Sequence, residues 1–192
     1  MTAKKQDIVR TATRLFSMDG YHAVGMDRII EESGVAKMTM YRHFPSKVDL
    51  VSEVLAQRMQ QSLASLTDAV NKKSDPMDKI REVFAWHERW FKTRDFTGCM
   101  FTGAFSEFRS QPGEIMRITI AQKTGLRLFI KNLLLDIARR PAAELMARQM
   151  VMLLDGAILS AMAGDRKTAA SEAWDAAERL IATESKPVAP LR

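Results

Sequence analysis

The chain has a single cysteine, Cys99, among its 192 residues. No disulfide can close within it, which points to a reducing compartment or to indifference to redox. No stretch approaches the roughly 20 apolar residues of a membrane span. The opening "MTAKKQDIVRTATRLF" is too polar for a signal peptide. The expectation is a cytoplasmic protein without a membrane partner. Glycine-rich phosphate loops, Cys/His nucleophile motifs and metal-ligand clusters are all missing from the pattern. The chain therefore reads as no enzyme, with no cofactor and no metal; a helical enzyme is the distant alternative. Neither sign of charge dominates: 29 bases against 23 acids give a net charge of +6, a mild pull toward an anionic partner. Strand-like alternation is absent as well.

What is present is helical periodicity from end to end. Ile8, Ala12, Leu15 and Phe16 form one stripe, which Gly20 stops. A short helix is expected over 26–33, with Gly34 as its left-handed end. Another runs over 37–43, ending where Pro45 restricts Phe44. Ser46 caps a long helix reaching about residue 70, and Asp49 completes a weaker form of the capping box. Further helices are expected over 77–91, from about Phe101, over 115–137, over 142–162 and over 168–183, with "RRP" ending the one at 137. The fold class is all-α, about nine helices: three short ones, then a larger bundle.

Two short helices joined by a tight Gly turn are the pattern of a helix–turn–helix. Gly34 supplies the turn, Val35 plugs the space between the helices, and Lys37–His43 is the candidate reading helix. Lys37, Met38, Thr39 and Arg42 are its exposed candidates. Thr39 can hydrogen-bond a base, and Lys37 and Arg42 can reach guanine or phosphate. Tyr41, His43 and Lys47 are placed to hold phosphates without reading sequence. Met40 is expected in the core, and Met38 in the groove against thymine methyls.

The run "IVRTATRLFSMDGYHAVGMDRIIEESGVAKMTMYRHFPSKVDLV" resembles the DNA-binding module of the TetR family of bacterial transcriptional regulators. The matching features are "LF…GY", "IIEESGV" and K-x-T-x-Y-x-HF-x-SK. The resemblance implies a DNA-binding domain over 1–50, a ligand-binding and dimerisation domain over 51–185, and a flexible tail over 186–192. It implies a homodimer on a palindromic double-stranded operator, repressing until a small-molecule effector releases it. Where relatives usually carry Ser or Thr, this chain has Val24-Gly25 and Ala36. Gly25 remains a tolerable cap beside DNA, but Ala36 leaves the reading helix without a side-chain cap. The expectation is that its free N–H groups and Lys37 face a phosphate. Residues 1–50 hold eight bases against six acids, so binding must rest on placed contacts and on two copies acting together.

The segment 142–162 is apolar on most faces and carries small residues one turn apart. With the resemblance, Met152, Gly156, Ala157 and Ser160, and Trp174, Ala177 and Leu180 on the last helix, are the dimer candidates. The aromatic-rich region suggests an effector site for a largely apolar or aromatic molecule. Its candidates are Trp86, His87, Trp90, Phe91, Cys99, Met100, Phe101, Phe105, Glu107 and Phe108, with Met152 and Asp155 from 142–162. A packed core is the competing reading for any one of them. Thiol sensing through Cys99 is the alternative mode of regulation. Lys123, Arg127 and Lys131 share one helical face, which reads as solvated, with attraction for an anionic ligand as the lesser alternative.

Overall fold

A computed structural model of the chain describes residues 3–184. Among them run nine α-helices and no strand: α1 (Ala3–Asp19), α2 (Met26–Ser33), α3 (Lys37–His43), α4 (Lys47–Asn71), α5 (Pro76–Phe91), α6 (Met100–Phe108), α7 (Glu114–Leu134), α8 (Arg140–Met162) and α9 (Ala169–Glu184). The tail expected over 186–192 lies outside the described residues.

Helix ends follow local chemistry. Gly20 and Gly34 take positive φ, +84° and +66°, where a Cβ would be strained. Ser46 and Asp49 form a reciprocal capping box: the Asp49 carboxylate accepts the Ser46 N–H at 2.9 Å, and the Ser46 Oγ accepts the Asp49 N–H at 3.2 Å. Asp75 caps α5, taking the N–H groups of Met77 and Asp78, with Pro76 in the first turn. The end of α7 differs from expectation. It stops at Leu134, and Pro141 opens α8 rather than ending α7. Proline lacks the N–H that a first turn leaves unpaired anyway, so it fits a start as well as a stop.

Packing groups the chain into two compact units. One takes in the described residues up to Ser62 together with Cys99–Gln122; the other takes in Leu63–Gly98 together with the described residues from Lys123 onward. This cut differs from the division expected at residue 50, because α6 packs with the N-terminal helices.

In the first unit, Ile8, Ala12, Leu15 and Phe16 of α1 meet Ile29 of α2, Met40 of α3 and Leu50, Val51, Val54 and Leu55 of α4. Phe101, Ala104 and Phe108 of α6 complete the same core. In the second unit α8 and α9 pack on each other and on α5. Phe84 and Trp174 meet edge to face at 5.6 Å between ring centroids. α8 has the length and composition of a membrane-spanning helix, the one such helix among the described residues. Its Ala143, Met146, Ala147, Met150, Leu154, Ala157, Ile158 and Ala161 are buried in the second unit, as in a core helix.

Candidate nucleic-acid interface

α3 is seven residues long and splits cleanly into two faces. Met40 is fully buried, while Met38 is 84% exposed. A two-residue step turns a helix by more than half a circle, so the two methionines go to opposite sides. Lys37, Tyr41 and Arg42 are exposed and Thr39 and His43 half-buried. Arg42 makes no ion pair among the described residues. No side chain caps α2 at Gly25 or α3 at Ala36. Lys37 Nζ lies 3.2 Å from Asp27 Oδ1, and both side chains are well exposed. Such a pair contributes little and breaks readily.

Lys47 is differently placed. It is half-buried, and its Nζ donates to the His22 carbonyl at 3.3 Å. Partial burial holds its pKa below the usual lysine value, against the opposing pull of Glu107. It ties the start of α4 to the turn after α1, a role beyond the phosphate contact expected of it.

The same turn explains Glu107, which was a ligand candidate. Its carboxylate accepts the Tyr21 N–H at 2.9 Å and the His22 N–H at 2.6 Å. The His22 ring Nε2 is 2.9 Å from the Glu107 carbonyl, and the Tyr21 hydroxyl donates to the Met100 carbonyl at 2.9 Å. Tyr21 is buried, which pushes its phenol pKa far up and keeps it a neutral donor. Gly20 makes room: a Cβ there would stand 3.0 Å from Glu107 Oε1. This clamp of α6 on the α1–α2 turn was not read from the sequence, although Gly20-Tyr21 was noted as a motif. Its partner lies more than 80 residues away, and nothing local announces it.

The other effector candidates divide between the two units. Phe101 and Phe108 are buried in the first unit's core, with Cys99 and Met100 packed against it. Phe105 is 51% exposed and joins no interior. Trp86, His87, Trp90 and Phe91 cluster in the second unit, with ring centroids 4.9 to 6.2 Å apart. His87 is buried, and its Nδ1 donates to the Val83 carbonyl at 2.8 Å in the tautomer that this carbonyl requires. Burial lowers its pKa to about 4, so the imidazole is neutral. Asp155 is held by Lys123. No group of three or more His, Cys, Asp or Glu side chains among the described residues could hold a metal ion.

Of the dimer candidates, Met152, Gly156 and Ser160 are exposed and Leu180 is half-buried. Ala157, Trp174 and Ala177 are instead buried within the protomer. Their own unit accounts for them, because the inner face of α9 lies on α5 and α8. Leu145 and Leu159, which the sequence reading did not name, are exposed on α8 with Met152 between them. Their seven-residue spacing was the available signal: two helical turns keep them on one face.

A short exposed helix, uncapped at its start and held by a glycine turn to a second helix, defines a helix–turn–helix protein. Comparison with known proteins makes this specific. Residues 8–54 match the model of the bacterial regulatory proteins of the tetR family. Residues 8–54 thus carry a TetR-type DNA-binding module, and the fold is that of TetR-family regulators. Over 78 residues it is 33% identical to the HTH-type transcriptional regulator YxaF of Bacillus subtilis, covering 40% of this chain and 41% of that one. It is 31% identical over 78 residues to the HTH-type transcriptional activator FasR of Mycolicibacterium smegmatis, covering 41% and 36%. The matches thus span about two fifths of these relatives' lengths. The crystal structure of SCO4454, a TetR-family transcriptional regulator from Streptomyces coelicolor, aligns with a TM-score of 0.89 at 27% identity, over 95% of this chain and 96% of that one.

Proposed function

We propose that the protein is a DNA-binding transcriptional regulator, a homodimer that holds a palindromic operator and represses until a small molecule in the second unit releases it. The observation that carries this is α3: its outward face offers Lys37, Met38, Thr39 and Arg42, while Met40 anchors its inward face in the core. Arg42 supplies a planar donor fork for guanine or phosphate, Thr39 a hydroxyl and a methyl, and Met38 an apolar contact for thymine. Lys37 exchanges Asp27 for a phosphate, and Tyr41 and His43 hold the backbone. With so small a charge surplus in residues 1–50, one module binds weakly, and twofold symmetry supplies the rest.

The outward stripe of Leu145, Met152 and Leu159 on α8 supports dimerisation through that helix. An exposed row of large apolar residues at two-turn spacing suits an isologous contact with its own copy. In release, the effector prefers one of two spacings of the reading helices, and its differential affinity shifts the population. A second reading is activation, which the description of FasR as an activator favours. Thiol sensing has less behind it: Cys99 is half-buried at the start of α6, and no second cysteine is available in the chain to resolve it.

Selection of random duplexes by the purified full chain tests the DNA reading. The expected outcome is a twofold-symmetric sequence bound in the nanomolar range, with affinity falling steeply as salt rises. Selected sequences without symmetry, or bound no better than random duplex, would refute it.

A further inference from the structure

The basic stripe of α7 is not a solvated face. Lys123, Arg127 and Lys131 stand one turn apart, and the outer two are met by acids of α8. Lys123 pairs with Asp155, and Lys131 Nζ lies 3.0 Å from Glu144 Oε2. Glu144 is shared further. Its Oε1 lies 4.0 Å from Arg148 Nη1. Its pKa is held below the usual carboxylate range, first by the Lys131 hydrogen bond and also by the charges of Lys131, Arg127 and Arg148. Four cations therefore surround two carboxylates, and both oxygens of Glu144 already face other cations.

Arg127 shares the field of Glu144 but makes no ion pair of its own among the described residues. Its Nε is sealed from solvent and has no hydrogen-bond partner among the described residues. Between Glu144 and Asp155, α8 reads "LMARQMVMLL", with no acid to supply one. A charged donor withdrawn from water without an acceptor is costly. From α5, His87 reaches the same cluster, within electrostatic range of Lys123 and Asp155. It brings the Trp86, Trp90 and Phe91 rings beside it.

We propose that Arg127 anchors a binding site for an organic carboxylate on the α7–α8 face of the second unit. The planar guanidinium fork matches a carboxylate's two oxygens, and the Trp86, Trp90 and Phe91 rings that accompany His87 suit the body that carries it. The proposal deepens the regulatory reading by giving the effector a charge. It rests on that reading only for the ligand's role, because binding is measured without DNA.

The test uses the full chain, with acetate, benzoate and octanoate as probes and acetamide, benzamide and octanamide as their uncharged counterparts. Calorimetric titration is expected to show saturable binding of at least one carboxylate, at least tenfold tighter than its amide. Arg127→Met is expected to lose that difference. Its ligand-free melting temperature is expected to stay level or rise, since the substitution removes a buried N–H donor that has no acceptor. Three results would overturn the proposal: no charge-dependent binding by any probe, unchanged binding in Arg127→Met, or a lowered ligand-free melting temperature in that variant. Inorganic phosphate binding more tightly than every carboxylate would overturn the assignment of ligand class. Failure of the regulatory reading shows separately, as a selection that yields no operator.

Discussion

α3 and α7 both carry bases at helical spacing, and they use them in opposite ways. α3 sends Arg42 into solvent, with no ion pair among the described residues, and leaves Lys37 in an exposed, easily broken contact with Asp27. α7 sets Lys123 and Lys131 against carboxylates of α8, with Lys131 only 16% exposed. On α3 the free charge is available to a large polyanion approaching from outside. On α7 it is mostly satisfied from within, and the residue lies on one guanidinium. The difference teaches that the spacing of bases along a helix gives the face they share but not what that face meets. The elements packed alongside decide it, here acids 13 to 32 residues further along the chain.

Substitutions in the inward-facing bundle should act on stability, and those on α3 on DNA affinity. The largest expected effect is that of Trp174→Ala. A buried indole packed on Phe84 should cost about 3–5 kcal/mol of folding stability, read as a lower midpoint in chemical denaturation. The loss should persist whether or not the protein is diluted. If the variant keeps its folding stability and only dissociates on dilution, Trp174 belongs to the dimer contact after all.

Next comes pH. The folded-state pKa of His87, about 4, lies below the ordinary value of 6.5. Between these values the unfolded chain binds the proton and the folded chain does not, so acid favours unfolding. Stability from this group is complete above about pH 6.5 and falls as pH drops toward 4, by about 3 kcal/mol in all. His87→Leu should flatten that part of the pH–stability curve; an unaltered slope would show that the imidazole titrates normally.

The smallest of the three effects is on α3. Arg42→Ala should weaken binding to the selected operator by about 1–3 kcal/mol, with the melting temperature unchanged. If affinity holds and stability falls instead, the contrast between the two helices disappears.

Much of the fold was readable because its signals are local. Gly20 and Gly34, the Ser46–Asp49 box and the i, i+4 stripe of α1 each act within a few residues. The outward face of α3 was legible for the same reason, down to the opposite orientations of Met38 and Met40. Pro141 was misread because proline tolerates a helix start as well as an end. The intrachain contacts of Glu107 and Trp174 were not legible because their partners, Tyr21 and Phe84, are about 90 residues away. No periodicity distinguishes an aromatic that lines a cavity from one that fills a core.

Glu107 grips the α1–α2 turn mainly through peptide N–H groups. That hold takes no account of which side chains project from α2 and α3. The outward side chains are therefore exchangeable: the exposed positions of 26–43 can drift toward a new operator, while Ile29 and Met40 keep the core and the joint to α6 stays intact. Gly20 is not exchangeable in this way, since a side chain there would meet the carboxylate. A lineage of such proteins can change the DNA it addresses without rebuilding the seat that carries the reader.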